Sequence, residues 1–373
     1  MKLLMLSGDT ALARGQQGPF HNTLSGLAEH WSRIDVVTSP VRGVESFKLF
    51  KNIYLHPVHA SRMLQASAIA RKAVSLINEH SHDIIASHDF GLFQNGLAAA
   101  TVSKQKGIPY VSEIHHVDGY PQAGSAREKI QPWLARKYVQ WARHRAAGFR
   151  ITNTSELRPL LRSWGVPDSQ LHLLYSLYLD FGIFSPVPTE KKYDAIFVGR
   201  LSPNKNPVMF LEGVAQVRHT KKDIKALIIG RGKLQGQLKQ RLSKLDLSNN
   251  VELRDWVASP AELAELYRQS RCLVCTSHSE GGPRVVAEAM ACGVPVISTR
   301  VGLAAELIEH GENGFLIDWS AQDLATRLTE LLNAPTLGAT APAAVQRFEK
   351  SVLLREYAQA YQFLAVQRNA ESD

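Results

Sequence analysis

Short apolar runs alternate with longer segments of helical spacing along most of the chain. In the first half, the runs that predict strands cover 3–7, 34–38, 84–87, 110–114 and 148–152. Apolar strands separated by segments long enough for crossover helices are typical of a parallel sheet covered on both faces. The first half of the chain therefore predicts an α/β domain.

The pattern is interrupted at 185–192, where two prolines and a cluster of charged residues predict a linker. It then resumes, and the second set of predicted strands covers 195–198, 226–229, 251–253, 272–275 and 295–298. We expect one α/β domain over 1–187, a second over 188–344, and a C-terminal helix within 345–373 that packs back on the first domain. Functional side chains are expected just after these strands, because open α/β sheets bind ligands at the carboxyl ends of their strands.

The length and composition suit a globular protein of two domains. The chain has 373 residues, of which 45% are hydrophobic and 21% are charged. It contains no run of 18 apolar residues that could span a bilayer, and the apolar stretch at 3–6 is too short for a signal peptide. We therefore expect a cytoplasmic protein.

The three cysteines predict neither a disulfide framework nor a zinc site. Cys272 and Cys275 form a C-x-x-C inside an apolar run, where residues three apart on a strand point to opposite faces of the sheet. Neither a second C-x-x-C nor a pair of histidines completes a zinc set. We expect buried thiols.

The net charge of +9 is concentrated in part of the first domain, where 127–162 holds nine basic residues against two acidic ones. Within it, 126–145 has helical spacing and combines basic with aromatic side chains. One interpretation is an amphipathic helix that packs on the core and exposes a basic face. The other is a surface that contacts an anionic membrane, at its inner face, or a lipid-diphosphate acceptor. The segment 47–54 is a second candidate, and nucleic acid is not expected because no recognition motif accompanies the charge.

The strongest chemical motif is His-Ser-Glu-Gly-Gly-Pro-Arg-Val-Val-Ala-Glu-Ala-Met at 278–290. A predicted strand ends before it, and Pro283 marks a helix start because proline is favoured at the first helical position. The free N–H groups at such a start form an anion site. Glu280 before the helix and Glu288 inside it are placed to accept hydrogen bonds from a sugar and a ribose. The alternative is a helix start with ordinary solvated carboxylates.

A second motif follows the first strand of the second domain. Arg200 and Lys205 lie five residues apart on a loop that begins at Gly199. Arginine can bind a diphosphate through two parallel hydrogen bonds, and lysine can bind it as a point charge. The alternative is a solvated loop without a ligand.

Two weaker motifs accompany these. Gly230 opens a Gly-Arg-Gly turn, but the next glycine is Gly236, so the spacing of a dinucleotide fingerprint is not met. His115, His116 and Asp118 follow a first-domain strand, where a histidine pair is equally compatible with a functional and a structural role.

The loop 13–19, which contains Gly18, would let backbone amides approach a ligand from the opposite wall. The chain contains neither a D-x-D nor a Walker sequence, so chelation of a diphosphate through a metal held by D-x-D is not expected.

Together these segments resemble glycosyltransferase family 4, whose members have the GT-B fold. The resemblance is densest over 195–332 and rests on the order Gly199-Arg200-x4-Lys205, Gly230-Arg231-Gly232, 250–257, Glu280-x7-Glu288 and 301–316. It implies two Rossmann-like domains with a catalytic cleft between them. It also implies a retaining reaction with a nucleotide-diphosphate sugar as co-substrate, without a cofactor and without a metal.

The resemblance assigns roles by position. The implied catalytic residues are His115, Arg200, Lys205 and Glu280. The implied donor-binding residues are Gly18, Gly199, Arg200, Lys205, Gly230, Arg254, Trp256, Val257, Glu280, Gly281, Gly282, Pro283, Arg284 and Glu288. In that scheme Arg200 and Lys205 hold the diphosphate. Glu280 holds the sugar and Glu288 holds the ribose, while 254–257 flanks the base.

The acceptor is less defined, and its candidate residues are His116 and Asp118. The segment 176–180 reads Ser-Leu-Tyr-Leu-Asp where the family often has Asn-Gly-Val-Asp, and the first glycine loop is atypical. We expect transfer to a hydroxyl acceptor. The candidate acceptors are lipid-linked glycans and polysaccharide-precursor glycans.

The expected reaction is a front-face substitution in which the leaving phosphate takes the acceptor proton. The chain offers no two carboxylates that we would assign as the nucleophile and acid of a retaining glycosidase. Two alternatives share the fold: a catalytically silent protein that binds a nucleotide sugar, and a sugar-nucleotide epimerase.

Overall fold

The computed structural model describes residues 1–16, 18–41, 43–61, 63–334 and 337–370. Its strands form two separate sheets, each flanked by helices on both faces. The chain thus has two Rossmann-like α/β domains, as the sequence predicts.

The first domain is built on an eight-stranded sheet. Its strands are β1 Lys2–Leu6, β2 Arg33–Thr38, β3 Phe47–Phe50, β4 Ile53–Pro57, β5 Ile84–His88, β6 Tyr110–Ile114, β7 Gly148–Ile151 and β8 Leu171–Leu173. Their order in the sheet is β3-β4-β2-β1-β5-β6-β7-β8, and every pair is parallel except β3 with β4. Its helices are α1 Pro19–Leu27, α2 Gln65–His80, α3 Gln94–Lys106, α4 Gln131–Ala142 and α5 Leu157–Ser163.

The second domain is built on a six-stranded parallel sheet in the order β11-β10-β9-β12-β13-β14. Its strands are β9 Ala195–Val198, β10 Ala226–Ile229, β11 Val251–Arg254, β12 Leu273–Cys275, β13 Val296–Thr299 and β14 Gly314–Ile317. The helices that follow the linker are α6 Pro207–Arg218, α7 Gln235–Lys244, α8 Pro260–Arg268, α9 Arg284–Ala291, α10 Ala304–Leu307, α11 Ala321–Leu332, α12 Ala341–Val345 and α13 Lys350–Ala370.

Each of the ten apolar runs overlaps a strand, and three of the strands have the predicted bounds. The runs correspond to strands because both faces of a parallel sheet are buried, which makes their sequence continuously apolar. The strands that the pattern missed include β3 and β4, which form an antiparallel hairpin at the edge of the first sheet. The segment 47–54, the second candidate for a membrane-contacting surface, forms this hairpin, in which Ile53 is buried and Phe47 packs against the core, whereas Lys48 is exposed.

The cysteines are buried free thiols, which confirms the prediction. Cys272 packs in the cluster on one face of the second sheet, and Cys275 packs in the cluster on the other face. The thiols therefore point apart, as the strand period requires.

The last helix connects the two domains. α13 begins after the second domain ends and then packs against α1 and β5 in the first domain. Its Tyr357 and Tyr361 are buried, and their hydroxyls reach the end of β6. These two tyrosines of the last helix thereby reach the strand ends at which a functional site is expected.

Candidate active site

Loops from the two domains meet where the strands of both sheets end. The amide of Asn153 donates to the carbonyl of Gly281 at 3.0 Å, and the backbone N–H of Gly302 donates to Glu156 Oε1 at 2.6 Å. The backbone N–H of Ser155 also donates to Glu306 Oε1, at 2.7 Å. In this conformation the two walls of the cleft are in direct contact.

Two glycines allow close packing here, Gly281 across the cleft and Gly230 between two loops of the second domain. A Cβ on residue 281 would lie 2.0 Å from the carbonyl oxygen of His115, across the cleft. A Cβ on residue 230 would lie 1.9 Å from the carbonyl oxygen of Gly199, on the neighbouring loop. A side chain at either position would push the two loops apart, because real Cβ atoms do not approach an oxygen so closely.

The wall of the second domain carries the predicted diphosphate and sugar residues. The ammonium of Lys205 forms an ion pair with Glu280 Oε1, and both side chains are largely buried. The loop of Lys205 is fastened by Asn204, whose amide donates to the carbonyl of Ser279 and accepts from its N–H, both at 3.0 Å. Sequence reasoning missed Asn204, although it directly precedes Lys205 and is one of the four unspecified residues of the Arg200-x4-Lys205 motif.

The structure places Arg200 at the cleft, opposite the acceptor-side candidates. His116 Nε2 and Asp118 Oδ1 are 2.9 Å apart. The pKa of Asp118 is lowered, mainly by the hydrogen bond from His116, and the charge of Arg200 contributes. Burial disfavours the charged form of His116, but the hydrogen bond and charge of Asp118 outweigh burial, and the pKa of His116 is raised. Glu280 and Lys205 also act on His116, so these five side chains form one electrostatic group.

The helix start predicted at Pro283 is present, because Pro283 caps α9. In its first turn the N–H of Val286 donates to the carbonyl of Pro283 at 3.0 Å. The N–H groups before it lie at the positive end of the helix dipole, which favours an anion there. The guanidinium of Arg284, however, donates to the carbonyl of Tyr178 at 3.1 Å and lies over the Tyr178 ring. Arg284 therefore binds the segment that connects the domains. Gly282 lies in the turn before the helix.

The predicted ribose and base residues differ in how far they are exposed to solvent. Glu288 is buried, burial raises its pKa, and it accepts a hydrogen bond from Tyr267 at 3.1 Å. Arg254 donates to Glu252 at 2.6 Å along the edge strand, so its guanidinium is engaged with a neighbouring carboxylate. Trp256 is 72% exposed beyond the end of β11. Val257, next to it, is partly buried against the core.

The first domain contributes a cavity of about 400 Å³ at the opposite side of the same region. Its walls combine aromatic side chains with polar groups at the ends of β5 and β6, including His88, Asp89, His115 and His116. Gly18 is the N-cap of α1, and Pro19, the residue after it, lines this cavity. The two predicted histidines thus lie between the cavity and the second domain.

Two buried carboxylates of this cavity were not singled out from the sequence. Burial raises the pKa of Asp89 to about 7, and hydroxyls of Ser87 and Tyr138 donate to it at 2.9 and 2.6 Å. Glu113 is 1% exposed and has Arg150 as its ionic partner at 2.8 Å. For Glu113 the available signal was an acidic residue inside an apolar strand, which is unusual because burying a charge is costly without partners. Asp89 directly follows β5 and carried no such signal.

The basic segment 126–145 forms a short 3-10 turn followed by α4. The aromatic side chains Trp133 and Tyr138 of this segment lie on different faces of α4. Tyr138 is buried with Val139, whereas Trp133 is 57% exposed. The reason is that the core side of α4 is formed by small residues next to Tyr138, so that Trp133 is turned outwards with the basic side chains.

Within the described ranges, no helix is long and apolar enough to cross a membrane. The same part of the chain holds no group of three or more His, Cys, Asp or Glu side chains arranged to hold a metal ion.

Comparisons with known proteins identify the family. Residues 18–176 match the family model described as Glycosyltransferase Family 4, and residues 182–348 match the model described as Glycosyl transferases group 1. A glycosyltransferase of Methanocaldococcus jannaschii, itself uncharacterized, is 33% identical over 81% of each chain. The chain belongs to glycosyltransferase family 4.

Relatives of lower sequence identity include proteins that are named for a specific activity. A D-inositol 3-phosphate glycosyltransferase of Segniliparus rotundus is 25% identical over 272 residues, which cover 68% of this chain and 59% of the relative. The chain therefore matches less than two thirds of that relative's length.

Solved structures confirm the GT-B fold. The structure of Anabaena Alr3699/HepE in complex with UDP and glucose has a TM-score of 0.73 and 22% identity, covering 96% of this chain and 99% of that chain. Sucrose-phosphate synthase from Thermosynechococcus elongatus has a TM-score of 0.78 and 17% identity, covering 98% and 100%.

Proposed function

We propose that the protein is a retaining glycosyltransferase that moves a sugar from a nucleotide-diphosphate sugar to a hydroxyl acceptor. The observation that carries this proposal is the position of Arg200, Lys205 and Glu280, which face the first-domain cavity across His116 and Asp118. The donor would lie against the second domain and the acceptor in the cavity of the first.

The donor diphosphate would displace the existing ion pair. Lys205 is held by Glu280 in this conformation, and a bound diphosphate offers it a more highly charged partner. Glu280 would then be released to accept hydrogen bonds from sugar hydroxyls. Because the walls touch, we propose that the domains separate to admit the donor and close over it.

The chemistry requires stabilisation of the leaving diphosphate. As the bond between the anomeric carbon and the phosphate oxygen breaks, negative charge develops on that oxygen. Arg200, Lys205 and the N-terminus of α9 would stabilise this charge, so we propose a reaction without a divalent metal. The acceptor oxygen forms the new bond on the same face, and its proton passes to the leaving phosphate. A covalent sugar adduct on Glu280 would contradict this route.

The donor is proposed to carry uridine, because structural neighbours from Anabaena were solved with UDP and UDP-glucose. The test is release of nucleoside diphosphate from UDP-, GDP-, ADP- and dTDP-sugars, with glycans and lipid-linked glycans as acceptors. Product NMR should show the anomeric configuration of the donor. Tight binding of a donor without any product would instead indicate a silent binder, and a changed donor sugar without transfer would indicate an epimerase.

We also propose that the acceptor is lipid-linked and that the enzyme works at the inner face of an anionic membrane. Apolar side chains are exposed around α3 and α4, namely Phe90, Leu92, Leu97, Ile130 and Trp133. Exposed basic side chains lie among them, namely Arg127, Lys129, Arg136 and Lys137. Apolar and basic groups on one face suit a surface of anionic lipid, and Phe90 also lines the cavity.

Sedimentation with vesicles of anionic or neutral lipid tests this surface. Binding to anionic vesicles should fall when Arg136 and Lys137 are changed to Glu, and should be unaffected by Lys239→Glu on α7 of the second domain. Equal binding by all three proteins, or no binding by any, would contradict membrane contact through this face.

A further inference from the structure

One heavily hydrogen-bonded side chain of the first domain is a carboxylate that the proposed reaction does not use. Glu113 lies on β6, two residues before His115, and its side chain is fully buried. A buried carboxylate is stable only when its oxygens are paired and hydrogen-bonded. Its partners therefore show what holds it there.

Both oxygens of Glu113 accept several hydrogen bonds. Oε1 accepts from the hydroxyls of Tyr357 at 2.7 Å and Tyr361 at 2.6 Å, both on α13. Oε2 accepts from Arg150 Nη1 at 2.8 Å and lies 2.9 Å from His115 Nε2. A second ring nitrogen, Nε2 of His88, is 3.3 Å from the same oxygen. We refer to these six residues as the Glu113 cluster.

The charges within the cluster determine which proton His115 carries. Burial opposes ionisation of Glu113, but the charges of Arg150 and His88 outweigh it and hold the pKa of Glu113 well below its usual range. An ionised carboxylate can only accept hydrogen bonds, so Nε2 of His115 must be the donor. Burial lowers the pKa of His115, with Arg150 and His116 acting in the same direction against Glu113. The ring is therefore neutral near pH 7.

A neutral ring that donates from Nε2 has a lone pair on Nδ1. Within the described residues, the contacts of His115 include no hydrogen-bond partner for Nδ1, and the side chain is 34% exposed at the cavity. Nδ1 is thus available to accept a hydrogen bond from a hydroxyl group of a bound substrate.

We propose that Glu113 is a positioning residue that fixes His115 as the Nε2–H tautomer, and that the hydroxyls of Tyr357 and Tyr361 hold Glu113 in place for this purpose. The role deepens the proposed transferase function, since the presented Nδ1 would orient a sugar hydroxyl in the cleft. It also gives the last helix a part in the site, although α13 follows the second domain in the chain.

The tautomer can be measured directly by ¹⁵N-edited NMR of the histidine rings at pH 7.5, with His115→Gln used to assign the signals. The wild-type protein should show His115 neutral and protonated at Nε2. A charged ring, or one protonated at Nδ1, would overturn the proposal. This readout requires no substrate, so a failed transferase assay would leave it intact and would count only against the proposed function.

Variants then separate positioning from stability. The double variant Tyr357→Phe/Tyr361→Phe keeps both rings and removes both hydroxyls, and Glu113→Leu removes the acceptor. Both should reduce the Nε2–H fraction. By analogy with the outer-shell partners that orient metal-bound histidines, kcat should fall on the order of 10- to 100-fold, with little change in donor KM. Tyr193→Phe removes a matched tyrosine–glutamate hydrogen bond in the second domain and should leave the tautomer unchanged.

If Glu113→Leu does not fold, the tautomer and kcat of the Tyr357→Phe/Tyr361→Phe variant test the proposal. A folded Tyr357→Phe/Tyr361→Phe protein with the wild-type tautomer and the wild-type kcat would show that the cluster only stabilises the packing of α13, and the proposal would be wrong.

Discussion

Single side chains in the second domain position the groups that we propose to bind the donor. Asn204 makes three side-chain hydrogen bonds to Ser279, two to its backbone and one with its hydroxyl. These bonds connect the loop of Lys205 to the loop of Glu280. The ion pair between those two residues therefore depends on a neutral neighbour.

Asn204→Ala is expected to lower the stability of the protein by about 1–2 kcal/mol, since it removes several partly buried hydrogen bonds. It should also raise the donor KM several-fold, because the two loops are no longer fastened. Asn250→Ala is the control, since it removes two side-chain hydrogen bonds elsewhere in the second domain, to the carbonyls of Lys222 and Ile224. The control should show a similar loss of stability by thermal unfolding and an unchanged KM. An unchanged KM in both variants would contradict the role of Asn204.

The strands and helices show how far the sequence determines the fold. Buried parallel strands were predictable because their residues are apolar on both faces, as in Ala195–Val198 and Ala226–Ile229. The edge strand Phe47–Phe50 was not predictable, because it is short, carries the exposed Lys48, and alternates only in part between apolar and polar residues. Helix α9 was predictable because the glycines and the proline directly before it are local sequence signals of a loop followed by a helix start.

The donor-side residues were recognisable because they lie in local motifs, whereas the Glu113 cluster was not. Tyr361 is 248 residues from Glu113 in the chain, and no local pattern relates the two. Likewise, the hydrogen bond from Arg284 to Tyr178 depends on how the linker passes α9, which motif spacing does not describe. Long-range contacts of this kind follow from packing rather than from periodicity.

The glycine loop before α9 provides a prediction at the same scale. Gly281→Ala would place a Cβ against the carbonyl of His115, so the two walls could not close as they do here. We expect kcat to fall at least tenfold, on the reasoning that small misplacements in an active site cost up to a hundredfold, while nucleotide binding is retained.

Gly236→Ala is the control for this substitution. Gly236 lies in α7 with no atom within 4 Å of the added Cβ, and alanine is the better helix former by about 1 kcal/mol. Kinetics should be unchanged and the melting temperature equal or higher. Normal turnover by Gly281→Ala would mean that the observed contact between the walls is not part of the catalytic cycle.

At the scale of the whole molecule, contact between the domains should depend on pH. Glu156 in the first domain accepts the N–H of Gly302 in the second, and burial raises its pKa to about 7. A raised pKa means that the closed form binds the proton more tightly than the open form. The stabilisation of the closed form is therefore fully present below the ordinary pKa of a glutamate and is lost as pH rises through about 7.

Small-angle scattering or a fluorescence distance between the domains should show a closed protein at pH 6 and a larger open fraction at pH 8. Glu156→Gln should remove much of this dependence. The raised pKa of His116 acts in the same direction, because its charge near Glu280 is also lost at higher pH, so a residual dependence is expected. A profile that is flat in the wild type, or identical in Glu156→Gln, would contradict the assignment to Glu156.

The most direct test of the central claim is calorimetric titration of UDP and UDP-glucose, followed by the GDP, ADP and dTDP counterparts, into the wild type, Arg200→Ala and Lys205→Ala. We predict binding of one nucleotide family by the wild type. Each variant should bind about 10- to 100-fold more weakly, since a hydrogen bond to a charged group contributes roughly 1.5–3 kcal/mol. Lys239→Ala, on the exposed face of α7, should bind like the wild type. Binding that is undiminished in both variants, or absent for every nucleotide, would contradict a donor site at Arg200 and Lys205.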